Sequence, residues 1–197
     1  MDNTIIFATG NEGKVREIRA ILADTPYHVI TMKEAGIDLD IREDGATFTA
    51  NAVIKAKAVA AVTDHIVLAD DSGLEIDYLH GEPGVLSARY MGKDTSYDIK
   101  NNNLIERLSG VAEEDRSARF VCAVAACLPD KTILTTVGTM EGRIAHAIKG
   151  TNGFGYDPIF FLPAYGCTSA EISPEEKNAI SHRGKALRQM GEVLKNL

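Results

Sequence analysis

Short apolar runs alternate with amphipathic helical segments through the first third of the chain, and this pattern narrows the fold most. "TIIFAT" (4–9) reads as a buried strand. It passes through "GNEGK" into a helical repeat with Val15, Ile18, Ile21 and Leu22 on one face. "HVITM" (28–32) is a second short strand, and "DLDIREDGATF" (38–48) an acidic loop. "TFTANAVIKAKAVAAVT" (47–63) is a helix with Thr47 placed to cap it. "IVLAD" (66–70) is the next strand, after which residues 80–92 carry the glycine and proline of an irregular loop. A helix is expected around 95–108. "ARFVCAVAACL" and "TILTTVGTMEGRIA" flank "PDK" as the arms of a hairpin. "KGTNGFGYDPIFFLP" (149–163) is a glycine-rich loop feeding a strand. "SPEEKNAI" opens a helix with Ser173 as cap, Pro174 first and Glu176 as capping-box partner. A last amphipathic helix carries Leu187, Met190, Leu194 and Leu197 on its apolar face. Alternating strands and helices followed by a hairpin predict an α/β protein with a mixed β-sheet and flanking helices.

Composition limits what such a fold can do. The 197 residues suffice for one good-sized domain, 45% are hydrophobic, and the formal net charge is −7. That balance argues against a nucleic-acid partner, which calls for a basic face. An anionic ligand would have to be met locally, by a few lysines, helix N-termini or a metal ion. No apolar run approaches a membrane span, and the N-terminus does not read as a signal peptide. Cys122, Cys127 and Cys167 lack zinc or pairing spacing, so free thiols in a cytoplasmic protein are expected. His28, His65, His80 and His146 show no metal-ligand spacing, and there is no G-x-S-x-G nucleophile elbow.

Polar and glycine residues collect at four expected strand ends, 9–14, 70–73, 151–157 and 177–183. Ligands bind at strand ends in open α/β sheets. "TGNEGK" sits between a strand and a helix, where backbone N–H groups can meet an anion and Lys14 adds charge. It is not a Walker A motif, since two residues rather than four separate Gly10 from Gly13. A tight turn with a solvated lysine is the simpler reading of this segment alone. On the helix 47–63, a 100° step places Lys55 beside Phe48 and Val59 on the inward side, with Asn51 bordering it and Lys57 pointing away. Lys55 could snorkel from the core rim, or face a phosphate. In "ADDSG", Asp70 and Asp71 cannot both point one way. One could cap a turn and the other hold a cation, with Glu43 as a second oxygen ligand.

Taken together, "TGNEGKVREI", "ADDSGLEID", "GEPGVLSARY", "GFGYDPIF" and "EEKNAISHRGKAL" resemble, in order and over nearly the whole chain, the inosine triphosphate pyrophosphatase (Ham1-like) family. The resemblance implies a homodimer of an elongated, two-lobed single domain (1–197) with a central cleft. It implies Mg²⁺-dependent cleavage of ITP, dITP and XTP to the monophosphate and pyrophosphate, which clears deaminated purines from the nucleotide pool. Residue by residue, it gives Thr9, Gly10, Asn11, Glu12, Gly13, Lys14 and Lys55 to the triphosphate. It makes Asp71 the proton acceptor and a metal ligand, with Ser72 beside it on the substrate. Phe154, Gly155, Tyr156 and Asp157 would meet the nucleoside, and Lys177, His182 and Arg183 would surround the base. Glu43 is the expected second metal ligand, although Ala50 and Arg42 stand where relatives usually carry acidic residues. Two alternatives stay open: a pyrophosphatase for other modified nucleotides, and a non-catalytic purine-nucleotide sensor.

Overall fold

The computed structural model describes residues 3–196, so Leu197, expected on the last helix, lies outside the described residues. In chain order the elements are β1 (Thr4–Phe7), α1 (Glu12–Ile21), β2 (His28–Thr31), α2 (Phe48–Ala60), β3 (Ile66–Ile76), α3 (Tyr97–Arg107), β4 (Ser117–Cys127), β5 (Ile133–Ile144), β6 (Phe160–Leu162), β7 (Cys167–Thr168), α4 (Pro174–Ile180) and α5 (His182–Lys195). The strands form one sheet in the order β2-β1-β3-β4-β5-β6-β7. β1 lies parallel to both β2 and β3, Ile5 opposite Val29 on one side and Ile66 on the other. β6 runs antiparallel to β5 and to β7. The sheet is mixed, as the sequence pattern predicts.

Contacts divide the chain into two compact units. The first takes Met1–Ser72, Cys122–Gly138 and His182–Leu197; the second takes Gly73–Val121 and Thr139–Ser181. Each has its own core. In the first, Ile5, Phe7 and Leu68 of the parallel strands pack with Ile18 of α1, Cys122 and Val124 of β4, and Leu187, Met190 and Leu194 of α5. In the second, Leu74 and Ile76 of β3 pack with Leu104 of α3, Phe120 of β4, Ile144 of β5 and Phe160 of β6. Cys122 and Cys127 are buried as expected, and all three cysteines are free thiols.

The helix boundaries follow from their caps. Asn11 accepts from the Lys14 N–H and opens α1. Thr47 accepts from the Ala50 N–H and opens α2. Ser173 and Glu176 close the capping box that the sequence places at α4. The expected hairpin turn at 129–131 is made, with the Leu128 N–H donating to the Thr132 carbonyl at 2.9 Å. One expectation fails. The strand thought to leave the core at Asp70 continues through Asp70, Asp71, Ser72 and Gly73 to Ile76. Strand geometry turns successive side chains to opposite faces, so each aspartate meets a different set of partners, and those partners make the burial tolerable.

Because α2 carries Asn51 and Lys55, its first turn matters to the site. Thr47→Ala should lower stability by about 0.5–2 kcal/mol, the usual cost of losing such a cap. Urea denaturation measures it, and an unchanged midpoint would show that the bond to the Ala50 N–H does not hold the helix.

Candidate active site

In the first unit the polar residues assemble on the two sides of β3. On one side, Asp70 is fully buried and meets two cations. Its carboxylate accepts from Lys14 Nζ at 3.1 Å and from Arg183 Nε at 3.2 Å. Arg183, 1% exposed on the first turn of α5, also binds Glu17 of α1 through Nη1 and donates to Ser72 Oγ at 2.9 Å through Nη2. Burial alone would raise the Asp70 carboxyl, but Lys14, Arg183 and Lys55 outweigh it and hold it far below the usual carboxylate range. The Cys122 thiol, 3.8 Å from Asp70, is pushed up to about 12 by burial and by that carboxylate, so it stays protonated and inert.

On the other side, Asp71 is 9% exposed. Its Oδ2 accepts from Asn51 Nδ2 at 2.9 Å. Burial raises its carboxyl above the ordinary value, against the opposing pull of Lys55 and the Asn51 bond, and the charge of Glu43 adds to the rise. Lys55 is buried on the inward face of α2 with Phe48 and Val59, while Lys57 is exposed, as the helical spacing predicts. Lys55 Nζ donates to Glu43 at 2.7 Å. The loop that carries Glu43 is pinned where the Gly45 N–H meets Asn51 Oδ1 at 2.8 Å. A Cβ at Gly45 would lie 2.7 Å from that same oxygen, so only glycine fits there. Asn51 thus ties the acidic loop to Asp71.

The start of α1 lies beside Asp70, which Lys14 reaches. Asn11 satisfies the Lys14 N–H, and Thr9 Oγ1 accepts from the Asn11 N–H. The N–H groups of Gly10, Glu12 and Gly13 have no acceptor among the described residues. The helix dipole lies behind them and Lys14 beside them, the arrangement of donors that suits an anion.

The donors also suit a hard divalent cation. Asp71 and Glu43 offer carboxylate oxygens close enough to feel each other's charge. Among the described residues no three His, Cys, Asp or Glu side chains could hold an ion alone. A cation here would take its remaining ligands from phosphate and water, as Mg²⁺ commonly does.

In the second unit, the loop before β6 is organised around Asp157, which is 2% exposed. Its carboxylate accepts from Lys177 Nζ at 2.6 Å, Ser169 Oγ at 2.8 Å and the Phe154 N–H at 2.9 Å. Lys177, on α4, lies 5.1 Å from the centre of the Phe154 ring. Gly153 has φ +74, and a Cβ there would collide with Asp157 Oδ2. Tyr156 is buried, donates to the Ser87 carbonyl at 2.7 Å and packs edge-on against Tyr97 at 5.1 Å. Asn101 of α3 donates to the Gly155 carbonyl at 3.1 Å.

The structure therefore brings Thr9–Lys14, Glu43, Lys55, Asp71, Ser72 and Arg183 together in the first unit, with buried His182 on the first turn of α5 there as well. It brings Phe154–Asp157 and Lys177 together in the second. The sequence pattern did not mark Glu17 or Asn101 as site residues, and it left Asn51 on the border of a helix face. An asparagine directly opposite a buried carboxylate is visible only once helix and strand are packed.

The Ham1 family model matches residues 5–193. The chain belongs to the Ham1 family. It is 49% identical to the dITP/XTP pyrophosphatase of Bacillus licheniformis, over 96% of this chain and 97% of that one. The Clostridium perfringens dITP/XTP pyrophosphatase is 43% identical over 98% and 97%. Among solved structures, a HAM1 protein from Coxiella burnetii superposes on this Ham1-family chain with a TM-score of 0.88 at 42% identity, covering 98% and 99%. The Staphylococcus aureus Ham1 protein gives 0.87 at 41%, covering 98% of each.

Asp70 supplies a test of the ion cluster. Its depressed carboxyl contributes stability in full above its unfolded pKa of about 3.9, and that contribution falls away as pH drops towards the folded value. Asp70→Asn leaves Arg183 and Lys14 short of a buried counter-charge and should cost about 3–5 kcal/mol at pH 7. The gap to wild type should narrow below about pH 4. Denaturation at a series of pH values measures it, and a gap constant from pH 7 to strong acid would contradict the pairing.

Proposed function

We propose that this chain hydrolyses dITP, ITP and XTP to the nucleoside monophosphate and pyrophosphate, and so removes deaminated purines from the nucleotide pool. The observation that carries the reading is the first unit's Asp71: a carboxyl raised by burial, held by Asn51, beside two lysines and a helix N-terminus with unused N–H groups. The names of its Ham1-family relatives supply the substrate class.

The proposed division of labour follows the chemistry of each group. The N–H groups of Gly10, Glu12 and Gly13 and the ammonium groups of Lys14 and Lys55 bind the triphosphate, with Thr9 and Asn11 holding that turn in shape. Asp71 takes the proton of the attacking water. The Asn51 bond fixes the orientation of that carboxylate for the work. Ser72, oriented by Arg183, contacts the substrate, and the Arg183 contact with Asp70 keeps β3 and α5 in register. Asp71 and Glu43 would hold Mg²⁺. When bound, that ion offsets charge on the phosphates and on the departing pyrophosphate. Glu43 would then exchange its bond with Lys55 for the cation, and Lys55 would turn to phosphate.

For the purine we propose the Phe154–Asp157 loop and Lys177 of the second unit. Lys177 is a donor with no acceptor capacity, so it favours the C6 oxygen of hypoxanthine and xanthine over the amino group of adenine. The Phe154 ring gives the base an apolar face. We also propose a homodimer in the cytoplasm, a reading supported by the family resemblance and by three free thiols.

The test is product analysis. With dITP and a divalent cation the products should be dIMP and pyrophosphate in one step; dIDP with orthophosphate would overturn the reading. Asp71→Asn, isosteric and expected to fold, should lower kcat by about a hundredfold or more, the range for loss of a general base. Near-normal turnover in the folded variant would remove Asp71 from that role. Lys55→Ala should lower kcat/KM by at least about tenfold, as expected for losing a charged hydrogen bond to phosphate, while Lys57→Ala should be nearly silent. Equal losses from both would contradict the assigned face of α2.

A further inference from the structure

Beside the start of α1, the first unit contains a cavity of about 340 Å³ whose lining includes Thr9, Gly10, Glu43 and Lys55, given above to the triphosphate and the cation, and extends past them to residues with no role so far. It is lined by Ala8, Thr9 and Gly10, by Met32, Lys33 and Ile37 of the β2–α2 loop, and by Glu43 and Lys55. Four charged side chains line it: Lys33, Asp38, Glu43 and Lys55. Lys55 and Glu43 neutralise each other at 2.7 Å. Lys33 has no hydrogen-bond or ion-pair partner for its ammonium among the described residues.

The backbone that presents Lys33 is fixed. The Ala35 N–H donates to the Thr31 carbonyl, the Gly36 N–H to the Lys33 carbonyl at 3.1 Å, and the Ile37 N–H to the Met32 carbonyl at 2.8 Å. Glu34, next in the chain, is turned away from Lys33: it binds Arg19 and accepts from the Thr31 N–H at 2.7 Å. The turn therefore holds Glu34 elsewhere and leaves Lys33 on the cavity lining, which it shares with the exposed carboxylate of Asp38.

We infer that this cavity receives the terminal phosphate of the substrate and then the released pyrophosphate, and that Lys33 is the residue that binds it there. The inference rests on the functional reading above and adds a residue to it. Thr9 and Gly10, at the turn proposed for the triphosphate, line this cavity together with Lys33. The far phosphate carries the most charge, and Lys33 is the cation on that side not already committed to a carboxylate. Lys33 makes no contact with the nucleoside end in this scheme, so its effect is confined to the leaving group.

The experiment compares two inhibitors of dITP cleavage, followed by dIMP formation for inorganic pyrophosphate and by pyrophosphate release for dIMP. Lys33→Ala should weaken inhibition by inorganic pyrophosphate about tenfold, the effect of one charge-assisted hydrogen bond. It should leave inhibition by dIMP unchanged, and Lys33→Arg should restore most of the loss. Lys57→Ala, on the exposed side of α2, should change neither constant. A pyrophosphate constant unmoved in Lys33→Ala, equal weakening of both inhibitors, or a wild type that cleaves dITP but is not inhibited by pyrophosphate would each overturn the assignment. A wild type that releases no pyrophosphate from dITP would instead fail the functional reading, and this inference with it.

Discussion

A fully buried aspartate between two cations holds the first unit together. Asp70 cannot sit in the middle of β3 without Lys14 and Arg183, since an isolated buried carboxylate is far too costly. Lys14 comes from the first turn of α1 and Arg183 from the first turn of α5. One carboxylate therefore ties two helices to one strand. Glu17, one turn beyond Lys14, answers the remaining charge of Arg183. A cation at a helix start opposes the dipole, and here two carboxylates compensate for it.

The pleat of β3 turns that structural device into a chemical one. Asp70 faces its cations and stays ionised, while its neighbour Asp71 faces Asn51 and a less compensated surrounding that raises its carboxyl. Adjacent identical residues thus acquire opposite pKa shifts. Environments that push paired acids apart are how one site holds both a permanent charge and a base. Ser72, bonded to Arg183, connects the two functions within three residues of strand.

Much of this was legible in the sequence wherever the determinant is local. Thr47, Ser173 and Glu176 announce their helix ends because the bonds they make span three residues. The inward direction of Lys55 follows from its spacing to Phe48 and Val59. The early alternation of strand and helix gives the parallel half of the sheet, and the turn at 129–131 marks the later hairpin. The extent of β3 was not legible. "DDSG" has the composition of a turn, and Arg183, which binds the Asp70 and Ser72 side chains in the strand, lies 113 positions from Asp70. For the same reason the sequence could not show what Arg183 binds, or that Asn101 and Ser87 would hold the loop around Gly155 and Tyr156.

In the proposed reaction, Asp71 deprotonates a water that attacks the α-phosphorus. Cleavage of dITP in ¹⁸O-labelled water tests this directly, because the label stays with the phosphorus that water attacks. The account predicts one labelled oxygen in dIMP and none in pyrophosphate, read by mass spectrometry of the separated products. Label in the pyrophosphate would mean attack at the β-phosphorus, and would contradict the placement of the base.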